Sequence, residues 1–312
     1  MIHSFETPFG GFTLTIANGV VWTLQFGIVD VDAVAHPRAG AIPENPADTA
    51  LAEEAERQLR AYFAGKRKRF NLPIAPAFAF NRMVRLALQR IPFGQTRTYG
   101  EVAAACGNPG ATRAVGNACG SNPVPVIVPC HRVVAANGLG GFSSGIEIKK
   151  RLLTLERYAL PGYWKDWKPQ DDCVLTFIHV KGEILLIVKK RGLGQGKVNA
   201  PGGHIEPGET PVEAAIRETR EEVGLTPINP VSRGILQFAF LDGYTERCEV
   251  FEAQAYTGTP VSTPEAEPFW CDETAIPFAE MWADDRYWIP SLLSGKKIRA
   301  RFVFDGDRLL WR

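Results

Sequence analysis

The chain has 312 residues, 45% of them hydrophobic and 22% charged, with a formal net charge of +1. That length favours two domains, each able to bury its own core, while the lack of a membrane-length apolar run or a basic-apolar leader argues against membrane insertion and for a soluble cytoplasmic protein. Six cysteines without a C-x-x-C pair argue against a disulfide scaffold or a zinc signature. The near-neutral total hides a division, since residues 1–160 carry 17 Lys+Arg against 11 Asp+Glu, whereas residues 161–312 carry 18 against 23. Between Gly65 and Arg157 there are 14 basic residues and only three acidic ones, Glu101, Glu147 and Glu156. Such an excess suits a surface that neutralises phosphates, although a solvated basic face has the same composition.

Phe12, Leu14 and Ile16, then Val21, Thr23 and Gln25, alternate about Asn18-Gly19 and predict a β-hairpin over Gly11 to Gly27. A polar, Pro-containing stretch follows. Leu51, Ala55, Leu59, Tyr62 and Phe63 recur near helical spacing and predict a helix from Thr49 to Ala64, stopped by Gly65. Leu72-Pro73 marks a connection, and Phe80 to Ile91 reads as a second helix ended by Pro92 and Gly94. Thr98 suits the N-cap of a helix over Tyr99 to Ala105, and Gly107-Asn108-Pro109-Gly110 separates it from another over Ala111 to Cys119. This is the spacing of a helix-turn-helix or of a plain packing hairpin. Its second helix carries Arg113 and the small residues Ala114, Gly116, Ala118 and Gly120, which would let its backbone approach a duplex. Residues 161–172, without periodicity and flanked by prolines, read as a linker. Cys173 to Val180 and Glu183 to Val188 then predict a strand pair about Lys181-Gly182, followed by a loop with Gly192, Gly194 and Gly196. Further strands are expected at Arg233 to Leu241, Arg247 to Tyr256 and Arg299 to Phe304.

Two stretches carry chemistry. The first runs from Gly116 to Gly145 and contains Asn122-Pro123-Val124-Pro125, Pro129-Cys130-His131-Arg132-Val133-Val134 and Gly140-Gly141-Phe142-Ser143-Ser144-Gly145. A thiol beside an imidazole can make a thiolate nucleophile, whereas a lone cysteine is more often a small buried hydrophobe. With Ala64-Gly65 and Ile91-Pro92-Phe93-Gly94, these stretches resemble the O6-alkylguanine-DNA alkyltransferases over about residues 1–158. The resemblance implies a small α/β lobe over residues 1–72 and a helical, helix-turn-helix lobe over residues 73–160. It implies that Cys130 accepts the alkyl group of O6-alkylguanine, or of O4-alkylthymine, in double-stranded DNA, and that His131 takes the thiol proton through a water. Glu156 then orients His131, and Asn122 braces the active-site turn. Tyr99 is a proton donor to the departing guanine or a phosphate-rotating contact. Arg113 fills the stack left by the extruded nucleotide and Ser144 contacts the flipped base, with Arg132, Ala114 and Gly116 also at the DNA face. Extrusion is required because the alkyl group is out of reach inside a duplex. The acceptor needs no cofactor and is used once, and with no cysteine in residues 1–80 no zinc is expected. The competing reading is a lesion-binding module in which Cys130 is inert.

The second stretch, Gly203 to Leu225, fits G-x5-E-x7-R-E-U-x-E-E-x-G-U, where U is aliphatic, except that Thr219 occupies an aliphatic position. On a helix Glu218, Glu221 and Glu222 fall at i, i+3 and i+4, so their oxygens can converge on Mg²⁺ against a diphosphate, while Glu209 and Arg217 pair structurally. This is the Nudix box, and residues 173–312 are identified as a Nudix domain, an α/β/α sandwich in a chain that is α+β as a whole. The likeness implies Mg²⁺-dependent pyrophosphohydrolysis, with Gly203, Glu218 and Glu222 at the metal and Glu221 catalytic. Glu265 is either a further ligand or base, or a surface glutamate. Residues Ile276 to Trp288, with Lys189-Lys190-Arg191-Gly192 and Asn199, resemble the oxidised-purine nucleoside triphosphatases of the MutT type. In that likeness Trp282 stacks on the base, Asn199, Asp284 and Asp285 bond its edge, and Lys189 joins the nucleotide site. Leu193 replaces an aromatic residue of those relatives. Alternatively Trp282 and Trp288 are core and Asp284 is a helix cap. The expected substrates are nucleoside triphosphates of the 8-oxo-dGTP type or O6-methyl-dGTP, with a nucleotide sugar or a general triphosphate as the rival.

Overall fold

The computed structural model describes residues 1–29, 45–77, 79–160, 162–165 and 167–311. The chain divides into two compact units, Met1–Asp166 and Trp167–Arg312. The polar stretch expected after the hairpin falls mainly at 30–44, outside the described residues, as do Pro161 and Asp166 of the expected linker. Among the described residues no helix is long and apolar enough to cross a membrane.

The first unit opens with an antiparallel sheet of β1 (Ile2–Thr7), β2 (Gly10–Ala17) and β3 (Val20–Phe26). Asn18 and Gly19 both take positive φ at the β2–β3 turn, as a two-residue hairpin requires. The expected alternation fails on β3. Ile16 pairs with Val21 but Thr15 pairs with Thr23, so Trp22 is bulged out and Leu24, not Thr23, joins Val21 in the core. Helix α1 (Pro46–Phe63) starts earlier than its apolar spacing suggests because the Asn45 side chain accepts from the Ala47 N–H and Pro46 fits the first turn. Ala52 rather than Leu51 faces inward, with Ala55, Leu59, Tyr62 and Phe63, and Phe63 stacks on Phe9 and Phe12.

There follow α2 (Ala79–Gln89), β4 (Arg97–Thr98), α3 (Tyr99–Ala105), α4 (Thr112–Gly120), a short 3-10 turn at Cys130–Arg132, β5 (Val133–Val134) and α5 (Ile146–Tyr158). Thr98 and Glu101 form a reciprocal capping box at the start of α3. Parallel pairing of β4 with β5 then draws Tyr99 alongside the segment that leaves the 3-10 turn.

The second unit comprises β6 (Asp171–Val180), β7 (Glu183–Lys189), β8 (Val198–Asn199), β9 (Gly202–His204), α6 (Pro211–Val223), β10 (Leu225–Pro227), β11 (Val231–Phe240), β12 (Thr245–Ala253), β13 (Tyr256–Gly258), β14 (Ala266–Asp272), α7 (Asp285–Leu293), β15 (Ile298–Asp305) and β16 (Arg308–Trp311). Its main sheet runs β14-β7-β6-β12-β11-β15-β16, with β8 on β7 and β9 on β6. The expected β6–β7 hairpin pairs only at its turn, and away from the turn β6 pairs with β9 and β7 with β8. Alternation along β6 serves two faces. Cys173 and Phe177 pack with Trp288, Ile289 and Leu292 of α7, while Val174 packs with Ala214 and Ala215 of α6.

Helix α6 is delimited by a Thr210–Glu213 capping box, Pro211 in its first turn and left-handed Gly224 at its end. Thr219 is tolerated in the interior because its hydroxyl donates to the Ala215 carbonyl at 2.7 Å. Where β9 crosses β6, a Cβ on Gly202 would stand 2.0 Å from the Val174 carbonyl oxygen. Gly202→Ala should therefore destabilise the second unit by about 3 kcal/mol, seen calorimetrically as a lowered transition for that unit alone.

Candidate active sites

In the first unit, Cys130 and His131 are buried in the 3-10 turn. The Asn122 amide donates through Nδ2 to Cys130 Sγ at 3.0 Å and to the Val128 carbonyl at 2.9 Å, and its Oδ1 accepts from the Val124 N–H at 3.2 Å. These bonds brace a loop in which Val126 holds φ of 71°, a costly conformation for a β-branched residue. Burial pushes the Cys130 thiol up, and the Asn122 hydrogen bond and the Lys149 ammonium pull the other way.

Glu156 is fully buried. Its Oε1 accepts from His131 Nε2 at 2.9 Å and from the Tyr62 hydroxyl at 2.6 Å. Arg132 Nε reaches both carboxylate oxygens at 3.0 Å, and Oε2 also accepts from the Gly94 N–H at 2.8 Å. Burial resists the Glu156 charge, but its His131 and Arg132 partners outweigh burial and bring its pKa to about 2. For His131 burial dominates the pull of Glu156 and lowers the imidazole pKa. The ring is thus neutral, and because an ionised carboxylate can only accept, its proton sits on Nε2. Nδ1 is left bare and buried, with no hydrogen-bond partner among the described residues.

Tyr99 is half-buried, and its hydroxyl donates to the Gly141 carbonyl at 3.3 Å. Burial, then the nearby Cys119 and Cys130, raises its pKa, so the phenol keeps its proton. Ser144 is half-buried ahead of α5, Arg113 and Ala114 are exposed on α4, and a Cβ at Gly116 would meet nothing within 4 Å. The chain's own packing does not require glycine there.

Arg132, expected at the DNA face, is only 4% exposed. Its guanidinium is spent on Glu156 and, at 2.8 Å, on the Ile91 carbonyl, so it cannot meet a phosphate. Lys149 also leaves the basic surface, being fully buried and donating to the Val133 and Gly141 carbonyls. Neither Lys149 nor Tyr62 stood out in the sequence. Their signal was position, since Lys149 shares one helix face with Leu152 and Glu156, and Tyr62 lies in the apolar stripe of α1.

The second unit holds a cavity of about 690 Å³ lined by, among others, Lys189, Asn199, Glu218, Glu222, Trp282, Asp284 and Asp285. Glu222 is 2% exposed; its Oε2 accepts from the Gly202 N–H at 2.9 Å, while Oε1 lies 4.0 Å from Lys189 Nζ. Burial raises its pKa. A Cβ on Gly203 would stand 2.5 Å from the Glu218 carboxyl carbon, so that carboxylate rests against bare backbone. Arg217 grips Glu209 through two bonds of 2.9 Å and also donates to Glu218 at 2.8 Å and Glu221 at 3.2 Å.

The expected convergence of three glutamates is therefore partial. Arg217 holds two of them, the Glu221 side chain is 57% exposed, and among the described residues no three His, Cys, Asp or Glu side chains stand together as a ready cation cluster. The donors nevertheless fit Mg²⁺, because hard carboxylate oxygens beside a glycine backbone suit it and a cation would offset the buried charge of Glu222. Glu265 pairs with Arg191 at the exposed rim.

Asp284, which also lines the cavity, occupies the N-cap position of α7 but makes no capping bond. Its Oδ2 accepts from Trp288 Nε1 at 3.0 Å, and Asp285 Oδ2 accepts from the Trp282 N–H at 3.1 Å. Burial raises Asp284 to about 6, and burial together with the Asp284 charge pushes Asp285 up well beyond the usual range. A pair that holds a proton can donate as well as accept. Trp288 is core; Trp282 is half-buried, edge-on to Phe304, with Lys197 Nζ 5.0 Å from its ring. Asn199 Oδ1 accepts from the Ala200 N–H at 2.8 Å, and Leu193 is exposed. Glu246, a further cavity residue, lay one position before the expected strand, although Glu246, Cys248 and Val250 share a strand face by alternation.

Family models described as the ribonuclease-like domain and the DNA binding domain of 6-O-methylguanine DNA methyltransferase match residues 2–76 and 79–158, and a NUDIX domain model matches residues 169–292. The chain is 43% identical over 161 residues to a methylated-DNA–protein-cysteine methyltransferase of Mycolicibacterium paratuberculosis, covering 51% of this chain and 93% of that one. It is 42% identical over 138 residues to the oxidized purine nucleoside triphosphate hydrolase of Danio rerio, covering 44% of this chain and 88% of that one. The solved structure of Mycobacterium tuberculosis OGT in complex with DNA aligns at 36% identity over 54% of this chain and 99% of that one, with a TM-score of 0.43.

The depressed Glu156 pKa carries a stability signature. Its contribution, on the order of 3 kcal/mol, is complete above the ordinary value of 4.5 and is lost as pH falls towards about 2. Wild type should outlast Glu156→Gln in denaturant at neutral pH, and the difference should shrink across that acid window.

Proposed function

The chain belongs to the methylated-DNA–protein-cysteine methyltransferases through its first unit and to the Nudix hydrolases through its second, and from that premise we propose one repair of alkylated DNA per molecule joined to repeated hydrolysis of damaged purine nucleoside triphosphates. The observation that carries the first reaction is the bare Nδ1 of a neutral His131, backed by Glu156, beside a thiol held by Asn122.

In the first reaction Cys130 Sγ forms a bond to the alkyl carbon as the bond to guanine O6, or thymine O4, breaks. The thiol proton passes through a water to His131 Nδ1, and Glu156 stabilises the imidazolium. Tyr99, kept protonated, supplies the proton taken by the departing guanine. Arg113 and the small residues Ala114 and Gly116 on the open face of α4 meet the duplex, Arg113 filling the vacated stack, and Ser144 contacts the flipped base. The thioether product has no leaving route, so Cys130 is spent.

In the second unit Glu218, Glu222 and the Gly203 backbone would hold Mg²⁺, which when bound neutralises charge developing on the diphosphate. Glu221, more exposed than Glu218 and Glu222, takes a proton from the attacking water in this reading. Trp282 stacks on the purine, Asn199 and the Asp284–Asp285 pair bond its edge, and Lys189 attracts the phosphates. Glu265 can join as a further ligand or base by leaving Arg191.

Incubation with duplex DNA containing O6-methylguanine should add one methyl to the Cys130 peptide by mass spectrometry, and Cys130→Ala should add none; an unmodified wild-type peptide would make the unit a binding module. For the second unit, kcat/KM on O6-methyl-dGTP or 8-oxo-dGTP should exceed that on dGTP by at least about tenfold, a difference of about 1.4 kcal/mol. Equal rates would point to a general triphosphatase.

A further inference from the structure

Glu246 has no part in the reactions above, yet it faces the nucleotide cavity. It sits on β12 in a cross-sheet row with Asp171 of β6, Phe238 of β11 and Phe302 of β15. The charged and titratable groups around it are Asp171 and Cys173 on β6, His204 on β9, Lys189 on β7 and Tyr244 in the preceding turn. Among these the weak Cys173 thiol does most to favour its charged form. Lys189 also faces Glu222.

Two residues further on, on the same face of β12, the buried Cys248 thiol feels Glu246, Asp284 and Asp285. Glu246, Asp284 and Asp285 all line the same cavity. Of the cations in and beside the cavity, Arg191 pairs with Glu265, Lys197 bonds Asp307 at 3.0 Å while lying over the Trp282 ring, and Lys189 lies 4.0 Å from Glu222. Burial holds Glu246 towards its neutral form.

A neutral purine offers its N–H edge to such a site, and the aspartate pair suffices for that edge. A purine alkylated on a ring nitrogen carries a delocalised positive charge. It gains twice here, by stacking on the Trp282 face and by pairing with a carboxylate that its arrival ionises. Alkylating agents that modify guanine oxygens also modify ring nitrogens, so both lesions come from the chemistry that the first unit counters.

We propose that Glu246 is a specificity-determining residue of the nucleotide site and that the cavity prefers cationic, ring-N-alkylated purine nucleotides to their neutral parents. This rests on reading the second unit as a purine nucleotide hydrolase.

The test is equilibrium binding of 7-methyl-GMP and GMP to the full chain without metal, followed by tryptophan fluorescence, with Trp282→Phe identifying the responding indole. Wild type should bind 7-methyl-GMP tighter by on the order of tenfold. E246Q, which keeps the shape and loses the charge, should bring the two affinities together. Equal affinities in wild type, or a preference that E246Q leaves intact, overturns the proposal while leaving the nucleotide reading standing. Binding of neither nucleotide removes both.

Discussion

A carboxylate without solvent holds the first unit together. Glu156 on α5 gathers Tyr62 from α1, the Gly94 N–H from the connection after α2, and His131 and Arg132 from the turn that carries the thiol. A buried ion costs several kcal/mol unless its hydrogen bonds are nearly complete, and here they are. The same arrangement decides the chemistry. Permanently charged Arg132 bonds both Glu156 oxygens, and the tautomer of a neutral His131 is set by the carboxylate oxygen that its Nε2 faces at 2.9 Å. Structural and reactive roles meet in one side chain.

The second unit uses buried carboxyls in the opposite way. Glu222 has a backbone N–H and a distant lysine, Asp284 and Asp285 have a tryptophan indole and a backbone N–H, and Glu246, only half-buried, has a neighbouring thiol. These groups are under-compensated, and each is a place where a cation or a donor from outside gains more than it would in water. A site completed by its own residues suits a reaction performed once. One completed by metal and substrate suits turnover, because its compensation leaves with the product.

Local signals in the chain were legible. The Asn18-Gly19 turn, the Thr98 cap, the Lys181-Gly182 turn and the helix of carboxylates each depend on residues a few positions apart, and each lies where its chemistry places it. What escaped depends on distant partners. The Trp22 bulge is set by cross-strand register, and β14 hides because Pro268 argues against a strand unless it is known to lie at a sheet edge. Arg132 reads as a DNA contact until α5 brings Glu156 to it. Tyr62 and Glu246 are ordinary in sequence, and only the fold shows that one faces a buried carboxylate and the other a cavity.

The account turns on the protonation of one ring. Nitrogen NMR of the uniformly labelled protein, with His131 assigned by its loss in a His131→Gln variant, reads it directly. A neutral imidazole at neutral pH, protonated on Nε2 and bare on Nδ1, is the expected result. An imidazolium, or a neutral ring with its proton on Nδ1, would contradict the network by which Glu156 prepares Cys130 to accept an alkyl group.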